Sequence, residues 1–212
     1  MYNNATPTLR PYHGSCHCGD VRYIVFLTLP HTVPDTSVPP PPGKSYQRFY
    51  RCNCTPCHKG GQFHTRLADA PGDFILLSPT DGPFNGSMGL YTHNDGQKHL
   101  PFCKRCAMRC FSFEGDGETV EVDLGALGIT DRKTGEKMGR QMVWRPKREG
   151  WNEGPDGESY LSVNGFTIDA DQGLELAELT DAKVVEYNDM LGYPEQPEGP
   201  PRWDRPYHGG AY

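Results

Sequence analysis

The amino-acid sequence predicts a mainly β protein with a thin hydrophobic core, many loops and cysteine clusters that staple it. Its 212 residues include 25 glycines and 20 prolines, and only 35% of them are hydrophobic. That share of glycine and proline, about a fifth, exceeds the usual share of roughly 12%. The apolar runs are short and rich in β-branched and aromatic side chains, which is typical of strands. The sequence therefore argues against a helical bundle and a doubly wound α/β sheet, which need long periodic segments.

The N-terminal half is predicted to contain two strands separated by loops. Residues 1–15 are polar and without periodicity, so we expect residues 1–12 to form a flexible N-terminal arm. Residues 21–29, VRYIVFLTL, predict the first strand. Residues 30–45 contain four consecutive prolines and predict a loop. Residues 73–78, DFILLS, predict a second and buried strand.

The middle of the chain is predicted to form two hairpins. Residues 88–92 and 98–102 flank an Asn-Asp-Gly turn at 94–96, which is a hairpin signal. The other predicted hairpin pairs residues 110–113 with residues 119–124 around a glycine-rich turn.

The C-terminal part is predicted to add one strand, one short helix and a tail. The strand covers residues 160–168 and the helix covers residues 181–191. The tail, residues 193–212, is rich in proline, glycine and aromatic residues and should be irregular. Residues 13–192 are therefore expected to form one domain, with residues 193–212 as its C-terminal extension.

Eight cysteines fall in three tight clusters. Because the chain begins without an apolar leader, we expect a cytoplasmic, reducing location, where clustered cysteines bind metal rather than form disulfides. The clusters are Cys16 and Cys18; Cys52, Cys54 and Cys57; Cys103, Cys106 and Cys110.

Two of these clusters can combine into a closed zinc site. Cys103 and Cys106 form a Cys-x-x-Cys knuckle, which is the usual half of a four-thiolate site. Cys16 and Cys18, flanked by glycines, supply the other half. A closed tetrahedron leaves no position for a substrate, so this zinc is predicted to be structural and to contribute to folding.

The remaining cluster predicts a second zinc with an open position. Cys52, Cys54 and Cys57 lie within six residues, and the local run supplies no fourth ligand. Three protein ligands and one open position are typical of a catalytic zinc. The alternative is that a distant ligand, Cys110 or a histidine, closes this site as well.

Thiolate ligands also indicate the chemistry. Three thiolates leave a zinc site with about one net negative charge, which favours binding an external thiol over generating hydroxide. The predicted reaction therefore couples or uncouples a thiol and an electrophilic carbon. His64 is the candidate general acid or base, because an imidazole titrates near neutral pH. Lys59 and Arg66 are candidate partners for a substrate carboxylate.

The cysteine segments resemble a known enzyme family. GSCHCGDVRY at residues 14–23, CNCTPC at 52–57 and FCKRC at 102–106 resemble the glutathione-dependent formaldehyde-activating enzymes, a family that includes centromere protein V-like proteins. The resemblance covers residues 13–125, and the C-terminal part is similar to fungal members. It implies an Mss4-like fold of folded-over antiparallel sheets and the same division into a structural and a catalytic zinc. It also implies condensation of glutathione with formaldehyde to S-hydroxymethylglutathione, a carbon–sulfur lyase reaction in reverse.

The sequence departs from the family pattern beside the predicted pocket. Ala107, Met108 and Arg109 replace the usual glycine and serine or threonine, and Cys110 stands where an aliphatic residue is common. Residues 58–64, HKGGQFH, replace a run of small residues. A second hypothesis is thus a zinc-dependent decarboxylase, hydrolase or cyclase of a fungal secondary-metabolite pathway. A third is a non-catalytic, zinc-stabilised interaction module.

Net charge and hydropathy limit the kinds of binding partner that the sequence predicts. The net charge of −6, from 27 acidic and 21 basic residues, disfavours binding to nucleic-acid phosphates. No run approaches the roughly 20 apolar residues that span a bilayer. The expected partner is a small carbonyl compound, with glutathione as the candidate thiol, and a homo-oligomer is compatible with the sequence. Tyr207 and Tyr212 are candidates to cover a pocket or a partner subunit.

Overall fold

A computed structural model describes residues 5–93, 98–153, 157–191 and 199–209. Most of its regular structure is β. The strands of the described residues, numbered in chain order, are β1 (Thr8–Ser15), β2 (Arg22–Leu29), β3 (Arg48–Cys52), β4 (His64–Arg66), β5 (Phe74–Ser78), β6 (Gly89–His93), β7 (Lys98–Phe102), β8 (Phe111–Glu114), β9 (Gly117–Asp123), β10 (Arg140–Pro146), β11 (Tyr160–Asn164) and β12 (Val185–Asn188). The α-helices there are short: α1 (Thr55–Lys59), α2 (Ala70–Asp73) and α3 (Leu176–Asp181). None of the described helices has the length and apolar character needed to cross a membrane.

The strands form two large sheets and one small one. The first sheet has the order β1-β2-β5-β10-β9 and is antiparallel throughout. The second has the order β12-β3-β4-β11-β8 and is antiparallel except for β12, which runs parallel to β3. β6 and β7 form a separate two-stranded sheet. The prediction of a mainly β protein with antiparallel sheets is confirmed.

Both faces of β2 are buried, which explains its nearly continuous apolar sequence. Successive side chains of a strand point to opposite faces. Tyr23, Val25 and Leu27 belong to the main core. Ile24 points to the other face of the first sheet, where it packs in a smaller cluster with Ile75, Leu124, Ile129 and Val143.

Aromatic contacts join the two large sheets. Phe113 on β8 meets Trp144 on β10 edge-on, with 4.9 Å between ring centroids. Phe111, also on β8, contacts Phe74 on β5 at 5.1 Å. Phe111, Phe113 and Phe74 are fully buried. The main core thus lies between the sheets, and neither sheet buries its apolar face without the other.

Several predicted strands are confirmed. Residues 21–29 correspond to β2, and residues 73–78 correspond to β5, which α2 precedes. Residues 88–92 and 98–102 form the antiparallel pair β6 and β7. The predicted turn at 94–96 lies outside the described residues.

The flexible arm predicted for residues 1–12 is wrong from residue 8 onward. β1 pairs with β2 along its whole length, from Thr8 opposite Leu29 to Ser15 opposite Arg22. β1 lies at the edge of the sheet and buries few side chains, chiefly Tyr12, so its sequence can remain polar. Pairing with an apolar neighbour, rather than its own composition, makes this segment a strand.

The predicted hairpin of residues 110–113 with 119–124 is also wrong. Both segments are strands, but β8 pairs with β11 in the second sheet and β9 pairs with β10 in the first. The short turn between β8 and β9 carries the chain from one sheet to the other. Local sequence identifies the two strands but not their partners, because each is paired with a segment distant in sequence.

Two C-terminal predictions need correction. The strand predicted for residues 160–168 ends at Asn164, whose side chain accepts a hydrogen bond from the Phe166 amide and caps a 3₁₀ turn. The helix predicted for residues 181–191 is displaced, because α3 ends at Asp181 and β12 follows. Val185 and Tyr187, two residues apart on β12, both pack in the main core beside β3, whereas Glu186 between them pairs with Arg48. This period of two overrides the partial helical period.

Candidate metal centres

The turn between β1 and β2 presents Cys16 and Cys18. The Gly19 amide donates to the Cys16 carbonyl at 3.0 Å, and Gly19 has a φ of 80°, a left-handed conformation that favours glycine. The Cys16 amide donates to the Val21 carbonyl at 2.9 Å, and the Val21 amide points back to Cys16 Sγ at 3.3 Å. This turn aims both sulfur atoms at one point.

The segment after β7 supplies the matching knuckle. The Ala107 amide donates to the Cys103 carbonyl at 2.8 Å, and the Cys103 amide donates to the Met108 carbonyl at 2.9 Å. Ala107 has a φ of 60°, in the left-handed region that favours glycine. This tight turn brings Cys103 and Cys106 to the same side.

The two halves meet in a four-cysteine group. All four Sγ atoms lie within 4.8 Å of one another. The Cys18 Sγ atom is 3.5 Å from those of Cys16 and Cys103. A zinc–sulfur bond of about 2.3 Å in a tetrahedron places sulfur atoms about 3.8 Å apart. The spacing and the soft sulfur donors therefore fit a tetrahedral zinc ion.

The second group consists of Cys52, Cys54 and Cys57. Cys52 ends β3, Cys54 precedes α1, and Cys57 lies on α1, which has a proline in its first turn. Their three Sγ atoms also lie within 4.8 Å of one another. Cys52 is buried, whereas Cys54 and Cys57 are half-buried. These three thiols form a candidate metal site, and two of them are partly exposed to solvent.

No other histidine, cysteine or carboxylate among the described residues belongs to this three-cysteine group. Cys110 is outside both groups and fully buried in the main core, where burial raises the pKa of its thiol. Within this spacing, the described residues thus bring together three ligand atoms and no fourth.

His64 lies beside the three-cysteine group. Its Nε2 atom is 3.1 Å from Cys57 Sγ, and its Nδ1 atom is 2.9 Å from Ser162 Oγ and 3.4 Å from the Tyr160 hydroxyl. Its ring stacks on Tyr50 with 4.4 Å between centroids. Burial lowers the pKa of His64 to about 3, so the imidazole is neutral at neutral pH. Next to a metal-bound Cys57 thiolate, this neutral ring would donate from Nε2 and accept at Nδ1.

Arginine side chains surround this histidine, and two of them are paired. Arg66 Nε donates to Glu153 Oε1 at 2.7 Å, and Arg48 forms a bidentate pair with Glu186. Arg66 was a predicted partner for a substrate carboxylate, but its guanidinium already has one within the protein. Lys59, the other predicted partner, ends α1 and is exposed.

Arg109 differs from these arginines. Its Nε donates to Gln62 Oε1 at 2.9 Å, and this amide is buried in the loop that follows α1. The Arg109 guanidinium interacts electrostatically with Cys57 and Cys54, while burial lowers its pKa. Gly60 allows this approach, since a β-carbon there would lie 2.7 Å from an Arg109 terminal nitrogen.

Asn53 ties the metal loop to the C-terminal tail. Its Nδ2 donates to Asp189 Oδ1 at 2.7 Å and to the His208 carbonyl at 3.1 Å, and its Oδ1 accepts from the Met190 amide at 2.6 Å. His208, in the described part of the tail, is therefore held next to the loop that carries the three-cysteine group.

Of the two tyrosines that are candidates to cover a pocket or a partner subunit, Tyr207 lies within the described residues. The Tyr207 ring lies under the Arg202 guanidinium, 3.6 Å from it, and the Tyr207 hydroxyl donates to the Pro200 carbonyl. Tyr207 also packs against the main core. Tyr212 lies outside the described residues.

Sequence reasoning named the seven cysteines and His64 but missed the residues that surround them. Asn53 sits between two ligand cysteines, and that position was a local signal. Ser162 and Tyr160 contact His64 although they lie nearly a hundred residues away in the chain, and no local sequence pattern predicts such a contact. Arg109 was noted as a departure from the family pattern without a role.

Comparisons with known proteins add little. The chain matches no protein-family model and no curated protein. Among solved structures, a Rhodobacter sphaeroides protein from a structural genomics programme is 14% identical, with a TM-score of 0.37. That match covers 79% of this chain and 94% of the other.

Proposed function

We propose that the protein is a two-zinc enzyme of the glutathione-dependent formaldehyde-activating type, with an Mss4-like fold. Cys16, Cys18, Cys103 and Cys106 would hold a structural zinc, and Cys52, Cys54 and Cys57 a catalytic one. The grouping of the sulfur atoms supports this division. The left-handed conformation of Ala107 also supports it, because the family pattern has glycine at this position.

The observation that carries the catalytic assignment is the missing fourth ligand. The three-cysteine group has no further protein ligand among the described residues, and two of its cysteines are half-buried rather than enclosed. A structural zinc is closed by four protein ligands, whereas a catalytic zinc keeps one position for substrate.

The proposed reaction is formation or cleavage of a carbon–sulfur bond between a thiol and a small carbonyl compound. Zinc in this site would bind the thiol as its thiolate and so remove its proton. Adding the thiol S–H across the carbonyl forms one S–C bond and one O–H bond, so no oxidant or reductant is needed. Glutathione and formaldehyde are the first pair to test.

The surrounding residues have distinct roles in this proposal. His64 donates from Nε2 to Cys57 Sγ and holds that sulfur in place. The Arg109 guanidinium offsets part of the negative charge of the three thiolates. Asn53 and α1 fix the loop that carries the ligands.

Metal analysis with zinc X-ray absorption tests the division of the sites. Two zinc ions per chain, with an average shell of fewer than four sulfur atoms, are expected. Two ions in four-sulfur shells would exclude the catalytic assignment and favour the interaction module.

Exchange of formaldehyde with glutathione, followed by NMR with and without the enzyme, tests the reaction. Faster exchange with the zinc-loaded protein is expected, and a Cys54→Ser variant is the matched control. Turnover of another carbonyl compound without any effect on glutathione would favour the decarboxylase, hydrolase or cyclase hypothesis instead.

A further inference from the structure

The Arg109 guanidinium lies at the three-cysteine group without an acidic partner. Arg48 and Arg66, nearby on β3 and β4, are each bound to a glutamate. For Arg109, the described residues provide only the neutral Gln62 side chain, which binds Nε and leaves the two terminal nitrogens without a carboxylate. The charged groups that act on it are thiols and the Tyr160 hydroxyl of the same site.

The position of Arg109 is fixed by the fold rather than by chance. The Asn164 side chain donates to the Arg109 carbonyl at 3.3 Å, and the Asn164 amide donates to the Cys110 carbonyl at 2.7 Å. Gln62 holds Nε from the opposite side, and the bare backbone of Gly60 makes room for the terminal nitrogens. Backbone and side chain are thus both anchored.

A guanidinium held in this way is suited to an anion. The Arg109 residue is half-buried, so its guanidinium has lost part of its hydration. Its two terminal nitrogens match the two oxygens of a carboxylate in a bidentate pair. A partly desolvated guanidinium whose terminal nitrogens have no carboxylate partner among the described residues gains when such a partner binds.

We propose that Arg109 binds a carboxylate of the substrate next to the open position of the three-cysteine centre. This inference rests on the proposed function, because it assigns the substrate of that site an acidic group. The carboxylate belongs either to the thiol or to the carbonyl compound, and both sources share the same contact with Arg109.

Isothermal titration of the zinc-loaded protein with matched probes tests the inference. In the thiol arm, 3-mercaptopropionate is compared with 3-mercaptopropionamide. In the carbonyl arm, glyoxylate is compared with acetaldehyde in the presence of 2-mercaptoethanol. We expect the carboxylate probe of at least one arm to bind about tenfold more tightly than its neutral partner, which is the usual strength of a charge-assisted pair.

Variants separate this contact from a general charge effect. Arg109→Gln should abolish the preference for the carboxylate probe. Arg109→Lys should keep only part of that preference, because an ammonium group cannot form the bidentate pair of a guanidinium. The control is Arg105→Gln, which removes an exposed arginine between Cys103 and Cys106. This variant should retain the wild-type preference for the carboxylate probe. Metal content, measured for each variant, shows that both zinc ions are retained.

The outcomes distinguish this inference from the proposed function. Equal affinity for the carboxylate and the neutral probe in both arms would overturn the inference. So would an Arg109→Gln variant that binds the carboxylate probe and its neutral partner more weakly by the same factor. Binding of glyoxylate through Arg109, with no binding of any thiol, would keep the inference and exclude the thiol chemistry.

Discussion

At the residue scale, the sequence predicts the position of His64 but not its protonation state. Its distance from Cys57 in the chain predicts that it lies near the metal loop, which the 3.1 Å contact shows. Its protonation state depends on burial between Tyr50 and Ser162, which belong to other strands. The structure therefore favours a histidine that orients a ligand sulfur over one that titrates near neutral pH.

Replacing His64 should weaken zinc binding at the three-cysteine group. His64→Ala removes the donor to Cys57 Sγ, and loss of such a ligand-orienting contact costs about 10- to 100-fold in metal affinity. His64→Gln retains an N–H near the Nε2 position and should recover most of that affinity. Competition with a chromophoric chelator measures the release of each zinc. Equal affinity in wild type and His64→Ala would show that the contact does not support the ligand.

His31 gives the protein a defined sensitivity to acid. It is 5% exposed, and burial lowers its pKa to about 4 from an ordinary value of 6.5. A lowered folded-state pKa contributes stability above pH 6.5, and that stability is lost as the pH falls toward 4, because the unfolded chain takes up the proton first. Between pH 7.5 and 5.5 the loss should be about 1 kcal/mol.

Denaturant titrations of His31→Asn measure this term. The asparagine can still accept from Gln47, whose amide lies 3.3 Å from His31 Nδ1. The variant should lose about 1 kcal/mol less than wild type over the same pH interval, with free zinc held constant. His208→Asn, at an exposed position, should behave as wild type. Parallel pH profiles for wild type and His31→Asn would contradict the assignment.

At the element scale, the two metal centres hold the chain in different ways. The four-cysteine group joins the β1–β2 turn to the segment after β7, whereas the three-cysteine group lies within one loop. Metal binding at the first would therefore close a long stretch of chain and contribute directly to folding.

Cysteine variants should separate these roles. Cys16→Ser or Cys106→Ser should abolish folded protein, because each leaves the long-range clamp incomplete. Cys54→Ser should leave a folded protein that has lost one zinc ion and its activity. Thermal melts combined with metal analysis test this partition, and an equal loss of folded protein in all three variants would show that the sites have been divided wrongly.

The Asn53 contacts predict that the tail depends on the metal loop. Asn53→Ala removes three hydrogen bonds to residues 189, 190 and 208 and should cost about 1–3 kcal/mol. Asn53→Asp keeps the acceptor but places a carboxylate against Asp189, so it should release the tail as well. Hydrogen exchange at Tyr187 and Arg202, whose backbones form an isolated bridge, reports the release. Unchanged exchange in both variants would mean that the tail is held by other contacts.

At the scale of the whole molecule, the sequence predicts the elements better than their arrangement. The strands β2, β5, β6 and β7 follow from local composition and alternation. β1, the separation of β8 from β9, and β12 depend on partners distant in the chain. The same division applies to the site, since the ligands lie in short motifs and the contacts of His64 and Arg109 do not.

The shared aromatic core predicts that both sheets unfold together. Phe113→Ala removes a fully buried ring that contacts Trp144 and Trp151, and it should cost about 3–5 kcal/mol. Far-ultraviolet circular dichroism and tryptophan fluorescence should then shift to the same lower denaturant midpoint. The exposed Phe166→Ala is the control and should change the midpoint much less. Separate midpoints for the two signals would show that the sheets are independent units.

The spacing of the ligands also sets an order for metal loading during translation. A ribosome releases Cys52, Cys54 and Cys57 in one short stretch. The three-cysteine set is therefore complete before two of the four clamp cysteines, Cys103 and Cys106, have been synthesised. The four-cysteine set waits for Cys106, and its ends must then close a loop of more than eighty residues. On a nascent chain, the three-cysteine loop is therefore able to capture a metal ion first, and the four-cysteine clamp forms only after β7 and Cys106 have emerged.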